Sequence, residues 1–315
     1  MENVDVSFVI PAYNCSKVVG RAIESIMNQK LSAFEIVIVN DCSNDDTLEV
    51  LDEFARQFSF LRVISHEVNK NLGAARNTGI DASRGEFVYF VDADDWLEPG
   101  GVAGLLEVAR ARGLDVVACG VQTVSEDGEV KPYHAWDFES SGGIEGVDYF
   151  SQYKIGAIAW NKLYRKSFLD RHEIRFVEGY FHEDIIFTAR IALECMRYVS
   201  ISKVVMNYFQ SKTSICNSVP TRRHLASYLN LYISMAEYFG ELNRRGIGDP
   251  GLVQRLSRSY GFAEVLPKLQ RYAATRPRSV FVRDVFDVVD ERLGPAGTGI
   301  ADFVCGSFEN YAQEG

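Results

Sequence analysis

The stretch FVYFVDADDW (Phe87–Trp96) sets an apolar run directly against three carboxylates, those of Asp92, Asp94 and Asp95. A continuous run of β-branched and aromatic residues predicts a strand that is buried on both faces. Uncompensated negative charge is unfavourable at the end of such a strand. The sequence therefore predicts that a cationic group binds where this strand ends.

Strand-like and helix-like segments alternate around this stretch. The predicted strands are Val6–Ile10, Phe34–Val39, Leu61–Ile64, Phe87–Val91 and Asp115–Ala118, and the predicted helices are Lys17–Gln29, Asp45–Phe58, Gly73–Ser83 and Gly101–Arg112. This alternation predicts an α/β fold with a Rossmann-like, mostly parallel sheet and helices on both faces. Ligands of such sheets bind beyond the carboxyl ends of the strands, and polar clusters follow the first, second and fourth predicted strands.

The pattern changes after Val124. We expect a turn at Ser125–Gly128 between two antiparallel strands, a loop at Glu139–Gly143 and a short helix around Tyr149. An amphipathic helix over Asp184–Met196 and a strand over Ser200–Tyr208 are expected to follow. Beyond about residue 220 the sequence predicts helices, with breaks at Gly246–Pro250, Thr275–Pro277 and Gly294–Gly299. We therefore predict an α/β domain over 1–215, with halves 1–124 and 125–215, and a helical region over 216–315.

Composition limits the class of protein. A hydrophobic content of 47% is ample for a core, and the net charge of −10 argues against a nucleic-acid-binding protein. The six cysteines are scattered and do not show zinc-site spacing. No apolar run is long enough to span a bilayer, and the acidic first residues do not resemble a signal peptide, so we expect a cytoplasmic protein.

The segment from Thr221 to Arg283 carries eleven Lys/Arg residues against four Asp/Glu residues, although the whole chain is acidic. One interpretation is that its basic and aromatic residues face anionic lipid headgroups and bring the protein to a lipid-linked acceptor at the inner face of a membrane. The other is that they form solvated helix faces. An apolar, aromatic helical tail would also allow pairing with a second copy of the chain. The residues in question are Arg222, Arg223, Arg244, Arg245, Arg255, Arg258, Arg271, Arg276, Arg278, Tyr228, Tyr232, Phe239, Tyr260 and Tyr272.

Asp92 and Asp94 have the spacing for a metal site. Two carboxylates two residues apart at a strand end suit Mg²⁺ or Mn²⁺, which bind hard oxygen ligands and usually share them with substrate phosphates. A metal with a diphosphate would neutralise this acidic edge, and the metal would stabilise the charge on a departing diphosphate. The alternative is that Asp92 and Asp95 only cap the turn and the next helix.

Four motifs resemble, in order and spacing, those of glycosyltransferase family 2: VIPAYN (Val9–Asn14), IVNDCS (Ile38–Ser43), NLGAARNTG (Asn71–Gly79) and FVDADD (Phe90–Asp95). They cover the first third of the chain densely, and weaker similarity continues to about residue 210. The resemblance implies a GT-A fold. It also implies inverting transfer from a UDP-sugar to a glycan or lipid-linked saccharide in bacterial surface polysaccharide synthesis.

The resemblance also implies roles for residues on the nucleotide side. Tyr13 would stack on uracil, and Asp41 would accept the imide proton. Gly73 would let the backbone approach the ligand, Arg76 and Asn77 would donate to the nucleotide, Asp92 would contact the ribose or a water on the metal, and Asp94 would ligate the metal; Pro11 and Ala93 complete this set. Several of these roles have an alternative. Tyr13 could be a core tyrosine, which is disfavoured because Pro11 ends the strand, and Asp41 could make an Asx bond to Ser43. The small residues could serve only helix packing, and Arg76 could form a structural ion pair with an aspartate of the site.

On the acceptor side, inverting transfer needs a carboxylate that takes the proton of the attacking hydroxyl. The resemblance points to Asp184, with Glu183 as the alternate, at the start of the amphipathic helix. The alternative is that both only complement the helix dipole. Asp95, Trp160 and Lys162 would contact the acceptor, although a core tryptophan and a solvated lysine are equally compatible with the sequence. His182 is assigned no metal role.

Two other functions compete with this interpretation. A sugar-phosphate nucleotidyltransferase also binds a nucleotide on an α/β sheet, but the stretch Pro11–Ser16 lacks the glycine-rich loop with Arg and Lys that such enzymes carry. A nucleotide-sugar-binding protein without turnover would bind the donor even after loss of Asp184.

Overall fold

The computed structural model of the 315-residue chain describes residues 4–133, 158–195, 197–211, 219–245 and 262–306. The chain divides into two compact units. The first comprises Met1–Gly179 and Phe187–Lys212, and the second comprises Tyr180–Ile186 and Thr213–Gly315. This division falls close to the predicted boundary at residue 215, but it groups the short segment Tyr180–Ile186 with the helical region.

The first unit contains a mixed β-sheet. Its strands are β1 (Val6–Ala12), β2 (Phe34–Asn40), β3 (Leu61–Ser65), β4 (Phe87–Phe90), β5 (Trp96–Leu97), β6 (Val116–Ser125), β7 (Val130–Pro132), β8 (Lys162–Arg165) and β9 (Tyr198–Gln210). They lie in the order β3-β2-β1-β4-β8-β6-β9-β5, with β7 paired to β6. The strands from β3 to β4 are all parallel, as predicted, whereas β8 is antiparallel to both of its neighbours. The predicted turn after Ser125 is confirmed, since β6 and β7 are antiparallel.

Helices connect the strands, and further helices make up the described part of the second unit. The first set is α1 (Val19–Met27), α2 (Thr47–Gln57), α3 (Asn71–Ala82), α4 (Gly101–Ala111), α5 (Lys166–Arg171) and α6 (Asp184–Glu194), the last of which begins in the second unit. The second set is α7 (Arg222–Arg244), α8 (Phe262–Ala273), α9 (Arg278–Leu293), a 3₁₀ turn (Gly294–Gly297) and α10 (Thr298–Gly306). None of the helices in the described ranges is both long and apolar enough to cross a membrane. The predictions for Glu139–Gly143, Tyr149 and Gly246–Pro250 concern residues outside those ranges.

Strand β1 continues further than its sequence suggests. Pro11 was predicted to end it, but the strand runs to Ala12, and Pro11 is paired with Val39. Proline is tolerated there because it stands one residue from the strand end, and the Ala12 carbonyl still accepts a hydrogen bond from the Asp41 amide at 2.8 Å. Tyr13 is therefore the first residue beyond the strand and is 50% exposed, so it is not a core tyrosine.

Strand β8 was not predicted. It comes from the segment WNKLY (Trp160–Tyr164), and its side chains Leu163 and Tyr164 are fully buried. The Tyr164 ring packs against Phe90 and Phe187, with ring centroids 5.6 and 5.5 Å apart. A four-residue strand that lies between two non-consecutive strands is stabilised by such distant contacts, and local periodicity does not reveal them.

Helix α3 packs directly on β1 at Gly79. A Cβ atom placed there would lie 2.2 Å from Val9 Cγ1, and Val9 is fully buried in a central strand. We expect Gly79→Ala to destabilise the first unit by about 1–3 kcal/mol, the usual effect of overpacking a core. The matched control is Gly104→Ala in α4, where the nearest atom is the flexible Lys203 Nζ at 3.5 Å. Thermal unfolding of both variants tests this, and equal melting temperatures would contradict it.

Candidate active site

The three carboxylates after β4 lie in different environments. Asp95 is 1% exposed; its Oδ1 accepts a hydrogen bond from the Phe209 amide at 2.8 Å, and its buried Oδ2 has no hydrogen-bond partner. The side chains of Asp92 and Asp94 are partly accessible. Asp95 therefore fastens the end of β4 to β9. Its predicted contact with an acceptor would require this carboxyl group to become accessible.

The electrostatics of the cluster indicate excess negative charge. Burial and the neighbouring Asp92 raise the pKa of Asp94 to about 6, and burial with Asp92 and Asp94 raises the pKa of Asp95 well above its usual range. The nearby Arg21 guanidinium donates to the Asp94 carbonyl at 2.6 Å and lies 3.8 Å from the Trp96 ring centroid. A cation bound here would remove an electrostatic penalty that Arg21 only partly offsets.

Asp94 and Asp92 fit a divalent metal in one specific way. In the ranges that the structure describes, no group of three or more His, Cys, Asp or Glu side chains has the geometry to hold a metal by itself. The protein would thus supply one or two carboxylates, and the remaining ligands would be water and substrate oxygens. This is the way in which Mg²⁺ usually binds at phosphate-transfer sites.

Arg76 makes the structural ion pair that the sequence left open. It is 1% exposed, its Nη2 donates to Asp92 Oδ1 at 2.7 Å, and its guanidinium lies 5.2 Å from the Phe176 ring centroid. The next residue, Asn77, is also committed to protein contacts. Its amide nitrogen donates to the Phe176 carbonyl at 3.0 Å and to Glu178 Oε1 at 2.9 Å, which accounts for both amide hydrogens. Contacts of Arg76 and Asn77 with a nucleotide stay predictions.

Asp41 lies at the end of β2 and is 3% exposed. The predicted alternative of an Asx bond to Ser43 is wrong, because Asn40 Oδ1 accepts the Ser43 amide at 3.2 Å. Asp41 instead accepts hydrogen bonds from the amides of Lys70 and Asn71, each at 2.8 Å. These bonds fix the start of α3 at Asn71, two residues earlier than predicted, and leave Gly73, buried, within the first turn. Pro11 and Ala93 are buried beside these strand ends.

Trp160 and Lys162 are part of the protein interior. Trp160 is 6% exposed and packs against Tyr208, with ring centroids 5.3 Å apart. Lys162 is fully buried, and its Nζ donates to Asn161 Oδ1 at 2.7 Å and to the Ile158 carbonyl. The structure agrees with the alternative of a core tryptophan, and the alternative of a solvated lysine is wrong. Contact of either side chain with an acceptor would require it to become more accessible, and this contact stays a prediction.

Glu183 and Asp184 belong to the second unit. Helix α6 begins at Asp184, and Glu183 just before it is 4% exposed. Both positions are therefore suited to complement the helix dipole, and the role of Asp184 as a base stays a prediction. His182 adopts a left-handed backbone conformation, with φ of 60°, and its ring lies 5.7 Å from that of Tyr228.

Three aromatic residues of the basic segment lie in the core of the second unit. Tyr228, Phe239 and Tyr272 are all nearly fully buried. Arg222 donates to Glu291 at 2.7 Å, and the Arg276 guanidinium stacks 3.2 Å from the Tyr272 ring centroid. The predicted contact with lipid is therefore wrong for these three rings, and for Tyr232 it stays a prediction. A lipid contact through other arginines stays a prediction, and Arg255, Arg258 and Tyr260 lie outside the described residues.

His182 should make the protein sensitive to acid. Burial, with Lys268 and His224 nearby, lowers the pKa of His182 to about 4. Between about pH 6.5 and 4 the unfolded chain binds a proton here that the folded chain excludes, so stability falls as pH falls through this window. We expect His182→Asn to reduce this loss, since asparagine tolerates a left-handed backbone. Melting temperatures from pH 7.5 to 5.0 measure it; equal pH dependence in both proteins would contradict it.

Sequence reasoning missed two residues of the site. His66 follows β3 directly and contacts Asp41, so the rule that polar residues at strand ends form one site would have found it. Arg21 lies in the first turn of α1, and no local pattern predicts that it reaches Asp94 and Trp96, more than seventy residues away.

The parallel half-sheet, with its polar loops and the acidic end of β4, is the arrangement of GT-A glycosyltransferases. A sequence profile described as Glycosyl transferase family 2 matches residues 7–172. The chain belongs to glycosyltransferase family 2 and is a glycosyltransferase by class.

Relatives agree with this assignment. The chain is 32% identical over 249 residues to the putative glycosyltransferase EpsH of Bacillus subtilis, covering 78% of this chain and 72% of the relative. It is 26% identical over 238 residues to the poly(ribitol-phosphate) β-N-acetylglucosaminyltransferase TarP of Staphylococcus aureus, covering 71% of this chain and 70% of the relative. The crystal structure of S. aureus TarS 1–349 in complex with UDP-GlcNAc has a TM-score of 0.69 and 20% identity, covering 91% of this chain and 81% of that one. This likeness establishes the fold.

Proposed function

We propose that the protein transfers a sugar, with inversion, from a UDP-sugar to a hydroxyl of a glycan or lipid-linked saccharide during surface polysaccharide synthesis. The observation that carries this proposal is the acidic end of β4. There Asp94 is partly buried beside Asp92, and burial together with this neighbouring carboxylate raises the pKa of Asp94 to about 6. A bound divalent cation would favour the charged form of both carboxylates. The complex of TarS with UDP-GlcNAc, which has the same fold, supports the choice of donor.

The nucleotide would bind across the ends of the parallel strands. Tyr13, half exposed just beyond β1, offers its ring as a stacking face for uracil. Asp41 offers a carboxylate oxygen to the imide N–H of the base. The amino end of α3, with the small residues Gly73 and Ala74, allows the backbone to approach the diphosphate.

Asp94 would hold Mn²⁺ or Mg²⁺, with Asp92 as a second ligand or as a contact to the ribose. The metal would supply stabilisation of the charge that develops on the departing diphosphate. Arg76 fixes the orientation of Asp92 through its ion pair at 2.7 Å, and Arg21 holds the backbone of Asp94. These two arginines would thus position the ligands before the donor arrives.

Asp184 would take the proton from the attacking acceptor hydroxyl, with Glu183 as the alternate base. Relatives such as TarP, whose name gives poly(ribitol-phosphate) as the acceptor, support a polymeric acceptor. The buried Trp160 and Lys162 are not included in the proposed acceptor site.

Calorimetric titration with UDP, with and without Mn²⁺, followed by incubation with a panel of UDP-sugars and acceptors, tests the proposal. We expect UDP binding that requires the metal, and a product whose anomeric configuration, read by NMR, is opposite to that of the donor. Absence of UDP binding in every condition would overturn the donor assignment. Binding with neither product nor donor hydrolysis would identify a nucleotide-sugar-binding protein instead.

A further inference from the structure

A hydrogen-bonded relay joins three side chains, those of Asp41 after β2, His66 after β3 and Thr78 in α3. His66 Nδ1 lies 2.7 Å from Asp41 Oδ1, and His66 Nε2 lies 2.9 Å from Thr78 Oγ1. The side chains of His66 and Asp41 are both nearly fully buried, at 6% and 4% exposed. Both nitrogens of the His66 ring therefore have a hydrogen-bond partner, which fixes the orientation of the ring.

The relay determines which oxygen of Asp41 is open to a ligand. Oδ1 accepts from His66 and from the Lys70 amide, and these two bonds occupy both of its lone-pair positions. Oδ2 accepts from the Asn71 amide alone and keeps one lone-pair position. Asn69 fixes the backbone of the same residue, since its side-chain amide donates to the Asp41 carbonyl at 3.1 Å.

His66 can hold this arrangement in either of its protonation states. The carboxylate only accepts, so Nδ1 carries a hydrogen. Nε2 accepts from the Thr78 hydroxyl when the ring is neutral and donates to it when the ring is charged, because a hydroxyl group does both. The ring therefore keeps the same orientation, and Asp41 keeps the same open oxygen.

From this geometry we infer that His66 is a positioning residue for nucleobase selection. This inference rests on the proposed function, in which Asp41 contacts the base. A fixed acceptor at Oδ2 favours uracil, whose N3–H is a donor, over cytosine, whose N3 is an acceptor. Cytosine carries its donor at the neighbouring amino group instead. Without His66 only the amides of Lys70 and Asn71 hold the carboxylate, which then has more freedom to turn towards that amino group. Loss of His66 therefore relaxes the selection.

The comparison of UDP with CDP in calorimetry tests this role. His66→Phe keeps a ring of similar size and removes both hydrogen bonds, whereas His66→Asn keeps an N–H donor near the position of Nδ1. We expect wild type to prefer UDP. We expect His66→Phe to lower the ratio of the two affinities by about tenfold, the usual scale for one hydrogen bond to a charged group. His66→Asn should keep most of the preference.

The ratio separates positioning from simple support of the fold. A residue that only stabilises the loop would change the affinities for UDP and CDP by the same factor. A folded His66→Phe protein with the wild-type ratio overturns the inference. If that variant does not fold, Thr78→Val removes only the outer bond of the relay, and the ratio should again fall, by a smaller factor; an unchanged ratio overturns the inference. A wild-type protein that binds no UDP overturns the proposed function and this inference with it.

Discussion

Replacing Asp94 by asparagine is expected to lower kcat for sugar transfer by about a thousandfold, the equivalent of several kcal/mol of transition-state stabilisation. Asparagine has nearly the same size but is neutral, so the substitution weakens the proposed metal ligand and leaves the packing of the loop intact. Metal-dependent UDP binding should be lost together with transfer, since both depend on the same ion.

Steady-state assays and UDP calorimetry at several Mn²⁺ concentrations measure this effect. The matched control is Asp52→Asn, which makes the same chemical change on the exposed face of α2 and should leave transfer and binding unchanged. If Asp94→Asn bound UDP with unaltered metal dependence, the metal would have to bind elsewhere. The carboxylates after β4 would then serve only as caps of the turn.

Replacing Asp184 by asparagine is expected to lower kcat by about a hundredfold to ten-thousandfold while leaving donor binding intact. The physical reason is that an amide does not accept the hydroxyl proton, although it keeps the size of the side chain. The split between lost turnover and retained UDP affinity distinguishes a base from a residue that only supports the fold.

The parallel variant Glu183→Gln shows which of the two carboxylates acts. We expect a much smaller loss of turnover for Glu183→Gln than for Asp184→Asn, with melting temperatures measured for both because Glu183 is nearly fully buried. The reverse order would assign the base to Glu183. Wild-type turnover in both variants would return the pair to the role of complementing the helix dipole.

The sequence predicts those parts of the fold whose information is local. Strands β1 to β4 follow from short, largely apolar runs, and the acidic end of β4 follows from where its run stops. Strand β8 was missed because Lys162–Arg165 is stabilised by neighbours from residues 87–89 and 116–118. The burial of Lys162 was missed for the same reason, since the carbonyl and amide oxygens that bind its ammonium group become available only in the folded chain.

The site shows the same division. Motif order indicates Asp41, Asp92 and Asp94, because polar residues at the ends of parallel strands meet at one edge. The sequence did not show whether Arg76 pairs with an aspartate of the site; the structure shows its ion pair with Asp92, and its contact with a nucleotide stays a prediction. The contacts that orient the carboxylates come from His66 and Arg21, whose positions depend on how the helices pack.

The late position of β8 in the chain has a consequence for protein synthesis. Strand β4 is complete at Phe90, but its outer neighbour in the sheet begins about seventy residues later, at Lys162. At a synthesis rate of roughly 5–20 residues per second, the outer edge of β4 waits about 4–14 seconds for its partner. During this interval the backbone groups on the outer edge of the apolar strand β4 stay unpaired on the ribosome. Nascent chains of this protein should therefore be clients of the chaperones that bind hydrophobic edges before release.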